Sequence, residues 1–307
     1  MIGKIYGTGS YVPPDVIHND DLANLVDTND EWIRERTGIV KRHIAQGEST
    51  VSMAVKSAER ALKNAKMSAE EIDFIIVSTI SSNVILPCTA CEVQKQIGAT
   101  NATCFDLNAA CSGFLFAYNT AQAYIASGIY HTGIVIGAEC LSNLVDWKDR
   151  GTCILFGDGA GAVVLKAKEG TNFSLVTHSD GERGKALTCG QNDFIHMDGQ
   201  EVFKFAVKQV PKSICELLEE NHLQKEQIDY FILHQANKRI VEAVAKRLKL
   251  EIEKFPMNLQ EYGNTSSASI PILLDEMNQK GLLKKGMKMI MVGFGAGLSW
   301  GASLIEW

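Results

Sequence analysis

Ile72-Asp-Phe-Ile-Ile-Val-Ser78 and Ile228-Asp-Tyr-Phe-Ile-Leu-His234 are two versions of one segment, and their two Ile-Asp pairs lie 228 − 72 = 156 residues apart. Each is a continuous apolar run, as expected of a strand buried on both faces of a sheet. Two further pairs share the offset. Ile134-Val-Ile-Gly137 matches Ile290-Met-Val-Gly293, and Asn108-Ala-Ala-Cys-Ser-Gly113 matches Asn264-Thr-Ser-Ser-Ala-Ser269. Three coincidences at one spacing predict a duplicated α/β half, with strands alternating with helices that cover the sheets.

The break is expected after Val163-Val-Leu, in the polar turn Lys166-Ala-Lys-Glu-Gly-Thr-Asn172. The halves are then residues 1–168, carrying Cys111, and 169–307, carrying His234 and Asn264. No Pro-rich or Ser-rich linker separates them, so a large shared interface is expected.

Composition narrows the function. The 307 residues are 46% apolar and 21% charged with a net charge of −6, which fits a globular chain with a substantial core and speaks against a general nucleic-acid binder. No apolar stretch approaches the roughly 18 residues of a membrane-spanning helix. The opening Met1-Ile-Gly-Lys-Ile-Tyr-Gly reads as a strand, without the pattern of an export signal. The eight cysteines are then expected to be reduced thiols of a cytoplasmic protein. Cys88-Thr-Ala-Cys91 has the spacing of a zinc half-site, but no second Cys/His pair accompanies it, so no metal is assigned.

Cys111 follows the strand-like Ala102-Thr-Cys-Phe-Asp-Leu107 and precedes a helical segment that is nearly apolar all round, hence a buried central helix. Unpaired N–H groups and the macrodipole at such a helix start favour a thiolate. Two readings stand side by side: an activated nucleophile, or a small core thiol like the other seven. His234 ends the second copy of the buried strand, at the sheet edge where α/β proteins bind ligands, and also fits a structural strand cap. Asn264 sits in the loop that the repeat matches to the Cys111 loop, where a turn or N-cap role is the plain alternative. A pseudo-twofold axis between the halves would bring the three together in one cleft. The glycine-rich Gly293-Phe-Gly-Ala-Gly-Leu-Ser-Trp-Gly301 lacks the features of a nucleotide loop and suits a backbone N–H that approaches a bound oxygen.

Asn108-Ala-Ala-Cys-Ser-Gly-Phe114, His234-Gln-Ala-Asn237, Tyr262-Gly-Asn-Thr-Ser-Ser-Ala-Ser269 and the glycine-rich turn, with Asp27-Thr-Asn-Asp-Glu-Trp-Ile-Arg-Glu-Arg-Thr-Gly-Ile39 and Leu155-Phe-Gly-Asp-Gly-Ala-Gly-Ala-Val163, run in order along the chain. Together they resemble the β-ketoacyl-acyl carrier protein synthase III family of thiolase-fold condensing enzymes. The resemblance covers essentially the whole chain. It implies the five-layered αβαβα thiolase fold and a two-stage reaction. Cys111 takes an acyl group from a coenzyme A thioester. Malonyl-acyl carrier protein then loses CO2 and attacks the acyl-cysteine, which starts fatty-acid synthesis without a cofactor.

On the same resemblance, His234 and Asn264 hydrogen-bond the malonyl thioester oxygen, and the N–H groups of Cys111 and Gly297 form the oxyanion hole. Trp32, Arg36 and Arg150 meet the adenine and phosphates of coenzyme A, and Gly199, Phe203 and Asn237 line the pantetheine tunnel. Lys204, Arg239, Lys246 and Arg247 dock the acidic carrier protein, the last three on the amphipathic Ile240–Lys249 segment or beside it. Leu86 ends the acyl pocket where many relatives carry phenylalanine, which points to longer or branched starters. In relatives that residue is lent across a dimer interface, so a homodimer is expected. Ala296 stands where glycine is common.

A thiolase would need a second cysteine in Gly293-Phe-Gly-Ala-Gly297, and a 3-hydroxy-3-methylglutaryl-CoA-synthase-like reaction a glutamate in Ser78-Thr-Ile-Ser-Ser-Asn83; neither is present. The alternatives are a specialised relative in secondary metabolism and a non-catalytic acyl-CoA-binding module.

Overall fold

The computed structural model describes residues 1–170 and 173–307. Thr171 and Asn172, the end of the expected polar turn, lie outside the described residues.

Phe74–Ser78 is the strand that the opening segment predicts, and every residue of it is buried. It pairs in parallel with Thr103–Leu107 on one side and Thr132–Glu139 on the other. Gly159–Lys168 and Ile2–Tyr11 extend the sheet antiparallel to five strands. The second sheet has four. Tyr230–Leu233 pairs in parallel with Lys288–Gly295, and Ser299–Glu306 and Ser174–Ser179 follow antiparallel. Gly159–Lys168 thus lies inside one sheet, between Ile2–Tyr11 and Thr132–Glu139, and Ser174–Ser179 is an edge of the other.

Helices cover both sheets because their apolar faces have nowhere else to go. Thr50–Ala65, opened by a reciprocal Ser49–Ser52 capping box, buries Val51, Met53, Ala54, Val55, Ala58, Ala61 and Leu62 against the outer face of the first sheet. Gly199–Glu220 and Lys238–Leu248 do the same for the second. Between the sheets lie Gly113–Ala126 and Ser269–Gln279, each touching strands of both. The order is therefore helix, sheet, helix, sheet, helix. Phe74, Phe114, Leu115, Ile232 and Leu274 fill the middle layer. Each such side chain contributes about 1.5–3 kcal/mol by leaving water, which ties the halves together more firmly than a linker could.

The duplication extends to detail. The strand Thr132–Glu139 recurs as Lys288–Gly295, and the tight helical turn Ala110–Ser112 recurs as Ser266–Ala268, both displaced by 266 − 110 = 156. The edge strand does not recur. The place of the edge strand Thr103–Leu107 is taken by the short helix Leu259–Tyr262.

Candidate active site

Cys111 lies in the Ala110–Ser112 turn that feeds the central helix Gly113–Ala126, and is 8% exposed. Gly295, at the end of its strand, passes directly over it. A Cβ on Gly295 would come within 2.7 Å of Cys111 Cβ and 3.0 Å of its N, so only glycine fits. The thiol environment differs from the sequence expectation. The helix start alone favours a thiolate, but burial pushes the Cys111 thiol up to about 12, with the nearby Glu139 carboxylate adding to the rise. Ser266, which lines a small recess together with Cys111, acts the other way.

His234 continues the ladder of its strand through a bond from its N–H to Val292 O (2.8 Å) and is 1% exposed. Burial pulls its imidazole down to about 3, so the ring is neutral at physiological pH. Its tautomer follows from its partner. Ser269 Oγ accepts from Gln235 N–H (3.2 Å) and lies 2.7 Å from His234 Nδ1. Among the described residues the Ser269 hydroxyl has no other acceptor for its proton, and directing that proton to Nδ1 leaves the other ring nitrogen, Nε2, as a donor. The Phe294 ring, edge-on at 5.1 Å, restricts the imidazole further.

Asn264 is tied on both backbone sides to the segment around Phe156: its N–H donates to Leu155 O (2.8 Å), and its carbonyl accepts from Gly157 N (3.1 Å). Its side-chain oxygen accepts from Ser266 N–H (2.8 Å), which turns the amide NH2 outward as a donor. Cys111, His234 and Asn264 line one cavity of about 120 Å³ together with Phe156, Phe294 and Gly295. Its walls also include Met197, Gly199, Phe203 and Asn237, and these four line the much larger surface groove of about 1160 Å³ that contains Arg36, Lys204 and Arg239. The groove and the inner cavity thus share walls down to the sulfur.

Two family models match the chain: 3-oxoacyl-[acyl-carrier-protein] synthase III over residues 105–181, and its C-terminal model over residues 218–307. The β-ketoacyl-[acyl-carrier-protein] synthase III of Clostridium novyi is 51% identical, covering 99% of this chain and 98% of the relative. The chain belongs to the β-ketoacyl-acyl carrier protein synthase III family. The crystal structure of 3-oxoacyl-[acyl-carrier-protein] synthase III from Aquifex aeolicus superposes with a TM-score of 0.97 at 44% identity, covering 99% of this chain and 100% of that one. A priming β-ketosynthase of the R1128 polyketide biosynthetic pathway gives 0.96 at 34%, covering 99% and 96%. The fold is that of the thiolases, and this synthase III family member is a condensing acyltransferase.

The remaining predicted residues fall into three groups. At the groove, Asn237 caps the Lys238–Leu248 helix through Arg239 N (2.8 Å) and donates to Arg36 O (3.0 Å). Beyond it, the Trp32 ring is flanked by the guanidiniums of Arg150 at 4.8 Å and Arg36 at 5.4 Å, so the three predicted adenine contacts lie together. Arg239 stacks on Phe203 at 5.5 Å and belongs to the groove itself. On the exposed helix face, Lys246 and Arg247 point away from the buried Ile240, Val241, Val244 and Leu248. Lys204 pairs with Glu201 at 2.8 Å, an exposed contact of little energetic weight.

Leu86 is not brought to the sulfur by its own chain: it is 85% exposed beside Ile85 at 80%. A smaller apolar recess of about 50 Å³ reaches Cys111 instead, lined by Ile80, Leu141, Phe156, Leu187 and Ile195. Gly297, at φ +137°, follows Gly295 and Ala296, which line the cavities on Cys111.

Sequence reasoning missed Glu139. No glutamate occurs in Ser78–Asn83, yet one arrives from the neighbouring strand and bonds to that very segment, accepting from Ser81 Oγ (2.7 Å) and Ile80 N (3.1 Å). A lone carboxylate closing the apolar Gly133–Ala138 run was the available signal. Ser269 was also missed, and no local pattern marks it. Among the described residues no cluster of three or more His, Cys, Asp or Glu is placed to hold a metal, and no helix is long and apolar enough to cross a membrane. Cys88 and Cys91 lie 3.4 Å apart, sulfur to sulfur.

Proposed function

We propose that the protein condenses an acyl-CoA starter with malonyl-acyl carrier protein to give 3-oxoacyl-acyl carrier protein, CoA and CO2, initiating fatty-acid synthesis. The observation that carries this reading is the path just described. A groove edged by Arg36, Lys204 and Arg239 suits the phosphates of coenzyme A and an acidic carrier. The inner cavity that shares walls with this groove ends at one sulfur, one neutral imidazole and one carboxamide.

The chemistry divides between these groups. Cys111, as thiolate, forms a bond to the starter carbonyl carbon, and the bond to the CoA sulfur breaks. In the second stage the malonyl C–C bond to CO2 breaks, and its electron pair enters the thioester as an enolate. His234 Nε2–H and the Asn264 amide, both donors, stabilise the enolate oxygen. Two neutral donors in a buried pocket suit this charge better than a base would, and each such donor is worth about 10²–10³ in rate. The enolate carbon then attacks the acyl-Cys111, whose oxyanion is met by the N–H groups of Cys111 and Gly297. Because decarboxylation generates the carbanion, no resident cofactor is required.

Trp32, Arg36 and Arg150 support coenzyme A binding, and Lys204, Arg239, Lys246 and Arg247 support docking of the acidic carrier, a local positive surface on a chain of net charge −6. We assign the protein to the cytoplasm and to a homodimer in which Leu86 of one copy borders the acyl pocket of the other. Labelled acyl-CoAs of graded length test the reading: label must appear on Cys111 and pass to a 3-oxoacyl product on a chase with malonyl-carrier protein. No label on Cys111 would refute it. A product on another acceptor would favour a specialised role like that of the R1128 priming enzyme.

A further inference from the structure

The 156-residue offset pairs Glu139, the last residue of the strand Thr132–Glu139, with Gly295, the last residue of Lys288–Gly295 (295 − 139 = 156). It also pairs Ser267 with Cys111 (267 − 111 = 156). Each half thus lays the end of its strand over the helical turn of the other. Gly295 passes over Cys111 without a side chain, which leaves the sulfur on the cavity wall. At the equivalent place Glu139 carries one, and it reaches the Ser267 hydroxyl. Neither Glu139 nor Ser267 lines the two cavities at Cys111. The second copy of the nucleophile's place is therefore filled by a carboxylate.

What this carboxylate holds follows from its bonds. Oε1 accepts from Ser267 Oγ (2.8 Å) and Ser266 Oγ (3.1 Å), both in the second half. Oε2 accepts from Ser81 Oγ (2.7 Å), Ile80 N (3.1 Å) and Thr79 Oγ1 (3.3 Å), all in the first. Glu139 is fully buried, and no lysine or arginine among the described residues pairs with it, so these hydrogen bonds alone offset its desolvation. The two serines adjoin Asn264. Ser266 N–H donates to Asn264 Oδ1 (2.8 Å), the bond that leaves the amide NH2 as a donor. Ser266 makes it in a left-handed backbone conformation (φ +48°), uncommon for serine, and such a state persists only where the surroundings fix it. Gly137 lets the turn seat on the strand, since a Cβ there would lie 2.2 Å from Ser267 O. Glu139 adds a clamp on the side chains of both serines. The equivalent bond in the first half, Ala110 N–H to Asn108 Oδ1, has no hydroxyl to clamp and is longer, at 3.2 Å.

We propose that Glu139 is a positioning residue for the decarboxylation stage: through Ser266 and Ser267 it fixes the Asn264 amide at the enolate oxygen. It touches neither substrate and transfers no proton. The proposal rests on the reading of Asn264 as an enolate donor in the condensing reaction. Glutamine in this place breaks the clamp on one side only. Ile80 N–H is a fixed donor and keeps the amide oxygen, so the amide NH2 turns toward the two serine hydroxyls, which have donated until then. Ile80, a wall of the apolar recess at Cys111, keeps its bond, and the acylation stage is spared.

The test is a double-mutant cycle. Decarboxylation of malonyl-carrier protein and single-turnover acylation of Cys111 by acyl-CoA are measured separately in the parent, Glu139→Gln, Asn264→Ala and the double variant. Glu139→Gln should lower kcat for decarboxylation about 10-fold, with the KM for malonyl-carrier protein and the acylation rate within about 2-fold of the parent. In the Asn264→Ala background the same change should cost less than about 2-fold, because the amide it serves is gone. A loss that persists undiminished in that background, an equal loss in both stages, or no loss overturns the proposal. Should Glu139→Gln fail to fold, Ser267→Ala, which removes one of the two bonds to Oε1, enters the same cycle under the same criteria. The crystal structure of the variant that folds gives a reading without substrate: the Asn264 amide must be displaced from Ser266 N–H, and an unmoved amide overturns the proposal. If the parent is neither acylated nor decarboxylates malonyl-carrier protein, the condensing reading falls, and a displaced amide still upholds the positioning; an active parent with an unmoved amide in the variant is the reverse.

Discussion

Ala110 and Ser266 occupy equivalent places in the two halves of the molecule and share one backbone state, with φ of +47° and +48°. Each donates its N–H to the side-chain oxygen of the asparagine two residues before it, Asn108 at 3.2 Å and Asn264 at 2.8 Å. One ancestral loop therefore serves twice. In the first half it presents Cys111, and in the second it presents the amide of Asn264 and the hydroxyl of Ser266.

Asn264→Ala removes one of the two enolate donors while leaving Cys111 in place. Decarboxylation of malonyl-carrier protein is expected to fall about 10²–10³-fold. Acylation of Cys111 by acyl-CoA, measured by intact mass in a single turnover, should fall far less. Equal losses in both stages would remove Asn264 from the enolate site.

Ser269→Ala releases the Nδ1 side of His234 and with it the preference for Nε2–H. The decarboxylation rate should drop about 10-fold or more, in line with loss of a well-oriented donor. Ser269→Thr, which keeps the hydroxyl, should recover much of it. A variant with unaltered decarboxylation would show that Ser269 does not set the tautomer.

His234 also makes a prediction about acid stability. Its folded pKa of about 3 lies below the unfolded value near 6.5, so the unfolded chain binds more protons between these limits. Stability from this group is complete above about pH 6.5 and declines as the pH falls toward 3, by at most about 1.4 kcal/mol per pH unit. Urea unfolding across that range should show a shallower slope in His234→Gln. The decarboxylation rate, for its part, should show no titration of this imidazole between pH 5 and 8.

Gly295→Ala tests the close approach over the nucleophile. The new methyl would meet Cys111 Cβ at 2.7 Å, and both residues sit in buried, tightly held segments. A loss of about 1–3 kcal/mol in unfolding free energy is expected, together with a strong fall in Cys111 alkylation. Retention of both would show that the turn yields freely.

The basic surface divides into two by position. Lys246 is exposed and outside the groove, so Lys246→Glu should raise the KM for malonyl-carrier protein several-fold at low salt, fade as salt is added, and spare acyl-CoA transfer. Arg239 lines the groove and covers Phe203, so Arg239→Glu should impair both substrates. The reverse pattern would move the dock elsewhere.

Much of this protein was legible in the linear chain because a duplicated fold writes its symmetry into sequence spacing. The 156-residue offset carried the two sheets, the central helix pair and the facing of the Cys111 and Asn264 loops, since buried strands must be apolar and loop geometry keeps its asparagine. The motifs named the family. What only the tertiary structure decided depends on through-space neighbours, which no spacing encodes. Glu139 arrives from an adjacent strand, Ser269 meets His234 from a helix 35 residues further along the chain, and burial overrides the helix start at Cys111 by removing the water that a thiolate needs. Local sequence sets which groups are available; their charges and protons are set by what the fold packs around them.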